Sequence, residues 1–324
     1  MEGLTTIYAP IGSTIPDSGI KLKKAKIRGV ESLGMLCSRK ELGLGSDSEG
    51  IAELSNDIKA GTPISQALDI NDTHIEIAIT PNRPDCLGIY GIARDLAAAG
   101  LGKLIKKDLE AIRESKETVP IFLDYQNTNE GCVIFSGRLI KNIKNNQSPE
   151  WLVKRLESIG LKSINCLVDI TNFINFDRGR PLHVYDASKV SGKIGARDAQ
   201  NGEKFIALDG KEYNLSSGMC VISDKEKVLG LGGIMGGEQS SSSEDTTDVF
   251  LESAYFDPIN TALTGRSLNI VSDSRYRFER GVDPEFIIEG LNLATQMILN
   301  LCGGEAGKIS LINNLNFKSK ELKF

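Results

Sequence analysis

DPEFIIEGLNLATQMILNLCGG (residues 283–304) sets Ile287, Leu291, Ile298 and Leu301 at helical spacing between an Asp-Pro start and a Gly303-Gly304 stop, which predicts a buried amphipathic helix. Working back along the chain, FLESAYF (250–256) is an apolar and aromatic run of strand length that carries one carboxylate, Glu252. Further back, Ser148 and Pro149 open a second helix, with Leu152, Leu156 and Ile159 on one face and Gly160 as its stop. Strands mixed with such helices from Val119 onward predict one α+β domain of about 200 residues, 119–318, with 319–324 beginning a further domain.

The earlier part reads differently. From Ile7 to Ala67, short apolar runs are broken by Pro10, Gly12, Pro16, Asp17, Ser18 and Gly19, the pattern of a small β unit over residues 1–70. Within it KLKKAKIR (21–28) alternates, and as a strand it would gather several of Lys21, Lys23, Lys24, Lys26 and Arg28 on one face. That face is either a solvated edge that discourages aggregation or a surface that tracks phosphates. HIEIAIT (74–80) alternates like a strand. After it Asp85 caps a helix with a Leu87, Ile92 and Leu96 stripe that ends at Gly100 and Gly102. The charged run Lys106 to Thr118 has neither glycine nor aromatics and reads as a short solvated helix or linker, so 71–118 is a small α+β segment.

The 324 residues exceed what one core usually organises, and 40% hydrophobic with 25% charged residues is ordinary globular composition. There is no run of roughly 18 to 20 apolar residues of the kind a membrane span needs, and no secretion signal, which makes the cytoplasm the expected compartment. Six cysteines without a CxxC pair, and only two histidines, argue against a zinc site and for reduced, buried thiols. A net charge of −5 excludes a surface that is basic throughout, though not a local basic stripe.

Three segments carry residue choices that packing alone does not explain: VDITNF with GRPLHVYD (168–186), GLGGIMGGE with SSSSEDTTD (230–248), and FLESAYF with SDSRYRFERG (250–281). His183, in a turn-rich polar setting, is expected near the surface, as a structural hydrogen bonder or as a working residue. No G-x-S-x-G elbow accompanies it, which disfavours a serine hydrolase. The glycines between 230 and 237 are followed by neither Gly-Lys-Ser/Thr nor a helix start. They fit no phosphate loop or dinucleotide fingerprint, and form either a tight crossover or a place where backbone approaches a ligand. The serine run reads as a solvated loop. Glu252 in its apolar strand needs a partner, either an arginine of the Arg275 to Arg280 cluster or a ligand's polar group.

With GVESLGMLCS (29–38) and ITPNRPDCLGIYGIARDLAA (79–98), the segments VDITNF, GRPLHVYD, GGIMGGE and RYRFERGVDP stand in one order along nearly the whole chain. In that order they resemble the β subunits of bacterial phenylalanyl-tRNA synthetases. The resemblance implies part of an oligonucleotide-binding (OB-type) barrel at 1–70, carrying a tRNA-binding face, and an editing (aminoacyl-tRNA deacylase) domain at 119–318. It implies an editing site that hydrolyses Tyr-tRNA(Phe) and spares Phe-tRNA(Phe). The family's catalytic positions fall on His183, Gly236 and Glu252, the last as the tyrosine sensor, and its substrate-binding positions on Thr171, Asn172, Pro181 and Gly237. Serines stand at Ser272 and Ser274 where relatives have threonine and alanine, and Lys162 stands where some have arginine, which gives up bidentate geometry.

A site that hydrogen-bonds a hydroxyl rejects the analogue lacking it by roughly 10⁴ to 10⁵. Backbone N–H groups near Gly236 and Gly237 are expected to stabilise the oxyanion; the resemblance implies that the terminal ribose hydroxyl orients the water, with His183 assigned to positioning in preference to proton transfer. Partners implied by the resemblance are tRNA(Phe) and the synthetase α subunit, in a tetramer of two α and two β subunits, with neither membrane nor DNA. ATP and magnesium belong to regions outside this chain, which is expected to need no cofactor or metal, to lack the beginning of the barrel, so that Met1 is not the natural start, and not to aminoacylate. The other reading is a non-catalytic tRNA-docking and subunit-contact module.

Overall fold

The computed structural model describes residues 3–44, 48–68, 70, 73–106, 109–125 and 131–315. The expected start of a further domain at 319–324 lies outside them. The fold is α+β, and the chain divides into two compact units, 1–75 and 76–324.

In the first unit β1 (Thr5–Thr6) pairs with β6 (Glu53–Leu54), β2 (Tyr8–Pro10) with β5 (Gly34–Leu36), and β3 (Ala25–Ile27) with β4 (Val30–Ser32). One helical turn, α1 (Ile64–Ala67), follows. A small core of Ala9, Ile15 and Cys37 holds these pairs together, and among the described residues no strands close into a barrel. The basic run is not one strand. Its one strand is Ala25–Ile27, with Lys21 in an isolated bridge to Thr14, and Arg28 (φ +51°) and Gly29 (φ +83°) make the tight turn into β4. The side chains of Lys21, Lys23, Lys24, Lys26 and Arg28 are exposed, and Lys24 is paired with Glu31 at 2.8 Å.

The second unit opens with a single 3-10 turn at Pro84–Cys86 and then α2 (Ile89–Ala98), whose N-cap is Gly88 rather than Asp85. Asp85 instead accepts hydrogen bonds from Arg83. The expected strand at 74–80 forms no ladder, and Ile75 and Ile77 are exposed. Nor is the charged run to Thr118 helical over its described residues; Glu114 bridges to Ala306 and receives the buried Arg138 at 2.5 Å.

Beyond it lie β7 (Ile121–Asp124), β8 (Cys132–Lys141), α3 (Glu150–Glu157), α4 (Cys166–Arg178), β9 (His183–Asp186), β10 (Ile194–Asp198), β11 (Lys204–Ile206) and β12 (Glu212–Asn214). Then come β13 (Cys220–Ser223), β14 (Val228–Leu231), β15 (Met235–Gly236), β16 (Val249–Phe256), α5 (Pro258–Ser267), α6 (Asp273–Phe278), α7 (Ile287–Cys302) and β17 (Glu305–Asn313). They build an antiparallel sheet, β17-β8-β16-β9, and a five-stranded sheet, β15-β14-β13-β10-β7, in which only β7 and β10 run parallel.

Strand alternation divides the four-stranded sheet's work. Ile140, Val184, Val249 and Leu251 face α3, α4 and α7, meeting Leu152, Ile170, Leu291 and Ile298. Phe135, Tyr185, Phe250 and Phe256 face the second sheet, meeting Ile194, Ala196, Ile222 and Leu229. The predicted helix at 283–304 is α7, entered at Phe286 and stopped by Gly303 at φ +71°. Of its predicted stripe Ile287, Leu291 and Ile298 are buried, while Leu301 is only partly so.

Ser148 does not cap α3; its hydroxyl donates to Asp169 at 2.6 Å. Asp169, fully buried in α4, also accepts from the Ser163 hydroxyl and from the Ile164 N–H at 3.0 Å. One carboxylate thereby ties both flanks of α3 to α4. Asp169→Ala leaves these donors unmatched, and at about 1 to 3 kcal/mol for each buried group left unpaired it should lower the unfolding free energy by about 3 kcal/mol or more, read from urea denaturation.

Candidate functional site

Residues of both sheets, α4 and α6 line a cavity of about 250 Å³. Its position follows from local rules. α4 is capped by Asn165, whose side chain accepts from Val168 N–H, and it stops at Gly179 in the left-handed conformation. It thus presents Thr171, Asn172 and Asn175, within one turn of each other, to the cavity. Pro181 and Leu182 then lead into β9. There Arg180, 1% exposed, donates to the carbonyls of Ala254 and Asp283 and fixes the entry of the strand. β9 pairs with β16 so that His183 lies opposite Glu252, which puts both side chains on the inner face of the sheet.

Across the cavity, the hairpin of β14 and β15 brings Gly230, Gly233 and Gly236 to the wall. A Cβ on Gly236 would sit 2.2 Å from His183 Cε1, so the imidazole rests directly against backbone. The glycine run thus makes a tight turn within the second sheet, and its backbone forms part of the cavity wall. Leu208, Ile222, Ile234, Met235, Phe256 and Phe278 supply the apolar wall.

Of the residues expected at the site, Thr171, Asn172, Pro181, His183, Gly236, Glu252 and Ser274 line this cavity. Lys162, Gly237 and Ser272 do not. Lys162 is exposed before α4. Ser272 caps α6, accepting from Arg275 N–H at 3.1 Å and donating to Ile234 O at 2.7 Å. The N–H of Gly237 donates to Leu229 O at 2.8 Å, so it is already used and is no free oxyanion donor. The serine run is not simply a solvated loop either: Ser240 is buried and donates to Leu229 O, and Thr246 donates to Asp186 at 2.8 Å.

Tyr185 and Asn175 join the site without having been singled out. The Tyr185 hydroxyl donates to Glu252 Oε2 at 2.7 Å, so the partner of Glu252 is neither an arginine nor a ligand alone. The arginines are occupied elsewhere: Arg275 with Glu279, Arg277 with Asp273, and Arg280 with Glu279. Alternation in HVYD carries the signal for Tyr185, since it must share a face with His183. For Asn175, four residues past Thr171, the signal is helical spacing.

His183 is half-buried and lines the cavity. Desolvation lowers its pKa to about 4, so it is neutral at physiological pH. The same burial pushes Glu252 up to about 7, although the Tyr185 bond pulls the other way. Two buried polar atoms without a partner, His183 Nε2 and Asn175 Oδ1, belong to residues lining this one cavity. Such atoms are rare in folded proteins and mark a place where something else completes the hydrogen bonds. The one grouping of possible metal ligands among the described residues, Asp85, Cys86 and Asp95, lies elsewhere, and Arg83 bridges both of its carboxylates.

Glu252→Gln retains an acceptor for Tyr185 but cannot ionise. A carboxyl whose pKa rises from 4.5 to about 7 on folding opposes folding only when ionised. The penalty is absent below 4.5, grows through that window and is complete above 7. The variant should match the parent in stability near pH 4.5 and exceed it by about 3 kcal/mol near pH 8. Urea denaturation at both pH values reads this, and equal stabilities near pH 8 would mean an unperturbed carboxyl.

The B3/4 domain family model matches residues 131–303, a range that contains every residue of this cavity. The phenylalanine–tRNA ligase β subunit of Cereibacter sphaeroides is 49% identical over 99% of this chain and 40% of that protein. The same subunit of Paramagnetospirillum magneticum is 53% identical over 94% of the chain and 38% of that protein, and that of Brucella abortus is 48% identical over 96% and 39%. The chain thus spans about 40% of the length of the curated relatives it matches. A solved N-terminal fragment of the phenylalanyl-tRNA synthetase β subunit from Pyrococcus horikoshii aligns over 71% of this chain and 61% of that one, at a TM-score of 0.42 and 17% identity. The chain belongs to the B3/4 domain family, and over nearly its whole length it is similar to the β subunits of phenylalanine–tRNA ligases.

Proposed function

We propose that the cavity is an editing site that hydrolyses tyrosine wrongly esterified to tRNA(Phe), and that residues 119–318 form the domain carrying it. The observation that carries this reading is Glu252. A carboxyl held among Ile222, Phe256 and Phe278, with one oxygen on Tyr185, suits a ring bearing one hydroxyl. Tyrosine satisfies the second oxygen, whereas phenylalanine would leave it unpaired in an apolar wall, and that asymmetry is the strongest kind of discrimination a pocket offers.

The chemistry assigned to the other residues follows their environment. With a pKa of about 4 His183 is a weak base at neutral pH. It acts by position, its Nε2 making one hydrogen bond to the attacking water or to the ester. Asn172 and Asn175 offer further polar contacts from α4 to the amino-acid and ribose portions. Water adds to the ester carbonyl, the bond from that carbon to the ribose oxygen breaks, and the water's proton ends on the departing ribose oxygen, relayed by the neighbouring ribose hydroxyl, which demands no strong base from the protein. Ser274 keeps the α6 side of the cavity small, its hydroxyl turned to Gly233 O at 3.2 Å.

The exposed Lys21, Lys23, Lys26 and Arg28 are assigned to the tRNA backbone; Lys24 contributes less because Glu31 already pairs with it. The α subunit, ATP-dependent aminoacylation of tRNA(Phe) with phenylalanine and a cytoplasmic setting are proposed of the whole subunit from its relatives.

Release of labelled tyrosine from Tyr-tRNA(Phe), against Phe-tRNA(Phe) as control, is the test. The chain should hydrolyse the tyrosyl ester and spare the phenylalanyl ester, and Glu252→Ala should lose that preference. A folded chain that hydrolyses neither ester would instead favour a tRNA-docking module. Gly236→Ala drives a methyl into the His183 ring and should reduce hydrolysis by at least about tenfold, the effect of a catalytic group displaced by a fraction of an ångström, with little change in far-UV circular dichroism.

A further inference from the structure

We infer that Tyr185 is the positioning residue of this site: its hydroxyl holds one oxygen of Glu252 so that the other faces the ligand's hydroxyl. The inference rests on the editing reading above and assigns a role to a residue that the sequence did not single out.

The geometry begins with strand register. His183 lies opposite Glu252 and Tyr185 opposite Phe250, so Tyr185 reaches Glu252 along the diagonal of the antiparallel pair, a span that suits an aromatic side chain. The phenol is 2% exposed and its oxygen is 2.7 Å from Glu252 Oε2. Its ring is held on both sides, edge-on to His183 at 4.4 Å between centroids and tilted against Phe250 at 6.4 Å. Gly230 leaves room above the hydroxyl, since a Cβ there would stand 3.6 Å from it. Among the described residues the Tyr185 hydroxyl has one hydrogen-bond partner, Glu252.

That bond divides the carboxyl into two unlike oxygens. Oε2 is satisfied, and no described residue donates to Oε1, which belongs to a side chain lining the cavity. A second phenol, from the ligand, would complete the carboxyl in the way Tyr185 does from the protein. Without Tyr185 the carboxyl could turn, and neither oxygen would be set toward the ligand's hydroxyl.

The bond also tends to keep Glu252 ionised against the burial that raises its pKa. The titratable groups around the pair are His183 on β9, Asp273 at the start of α6, Cys220 on β13 and Cys132 on β8. None of them is a cation at neutral pH, so the Tyr185 hydroxyl is the group among these that stabilises the carboxylate.

Tyr185→Phe removes the donor and keeps the ring. The titration of the Glu252 side-chain carboxyl is followed by ¹³C NMR in parent and variant, with Glu252→Gln identifying its resonance, alongside hydrolysis of Tyr-tRNA(Phe) and Phe-tRNA(Phe). The carboxyl midpoint should move up by about one pH unit in the variant, the size of a single lost hydrogen bond. The preference for the tyrosyl ester should fall about tenfold, mainly through KM. A structural role alone would lower stability and leave the midpoint and the preference where they were, and that result would overturn the inference. If the parent hydrolyses neither ester, the editing reading fails, while an unmoved carboxyl midpoint still refutes and a raised one still supports the hold of Tyr185 on Glu252.

Discussion

The antiparallel register that sets His183 against Glu252 is the constraint around which the rest of this domain is arranged. A carboxylate on the inner face of a sheet, 5% exposed, is an expensive residue to bury. The neighbouring elements offset that cost in a particular way. Tyr185 supplies a hydrogen bond, while the wall opposite is apolar side chain and bare glycine. The carboxyl is thus stabilised enough to be tolerated and left short of full satisfaction.

The same arrangement explains the residue sizes around the cavity. The second sheet comes close to the first here, and the imidazole of His183 already fills the space where a side chain at 236 would go. On the opposite face of the four-stranded sheet the requirements are reversed. There α3, α4 and α7 need bulk, and Leu251, Ile140 and Val249 provide it. One strand, β16, serves both faces, so residues of alternating parity along it answer to different demands.

How far this was legible in the sequence follows from which rules are local. Helical spacing located α7, and the apolar run 250–256 located β16, because each pattern belongs to one element. Ser148 and Asp85 misled for the opposite reason. Both are good capping residues beside a proline, but a tertiary partner claims each of them, Asp169 for Ser148 and Arg83 for Asp85. HIEIAIT alternates as a strand does, yet alternation cannot supply a neighbouring strand to pair with. At the site, the resemblance brought His183, Gly236 and Glu252 forward. Lys162, Gly237 and Ser272 came with them although their side chains or N–H groups are engaged or exposed elsewhere. Tyr185 was missed because its importance depends on strand register, which one sequence does not reveal.

Desolvation acts in opposite directions on the two titratable groups that face each other here. It lowers His183 to about 4 and raises Glu252 to about 7. If these two formed an ion pair with each other, the pairing would oppose both shifts, and His183 Nε2 and the second oxygen of Glu252 would no longer be open to the cavity. Keeping them apart, with Tyr185 on Glu252 and backbone at Gly236 against His183, leaves one acceptor and one ring nitrogen free at the same cavity. A pocket of that kind binds by filling its own missing hydrogen bonds. Its selectivity is then set less by the strength of any one contact than by which contacts a wrong ligand leaves empty.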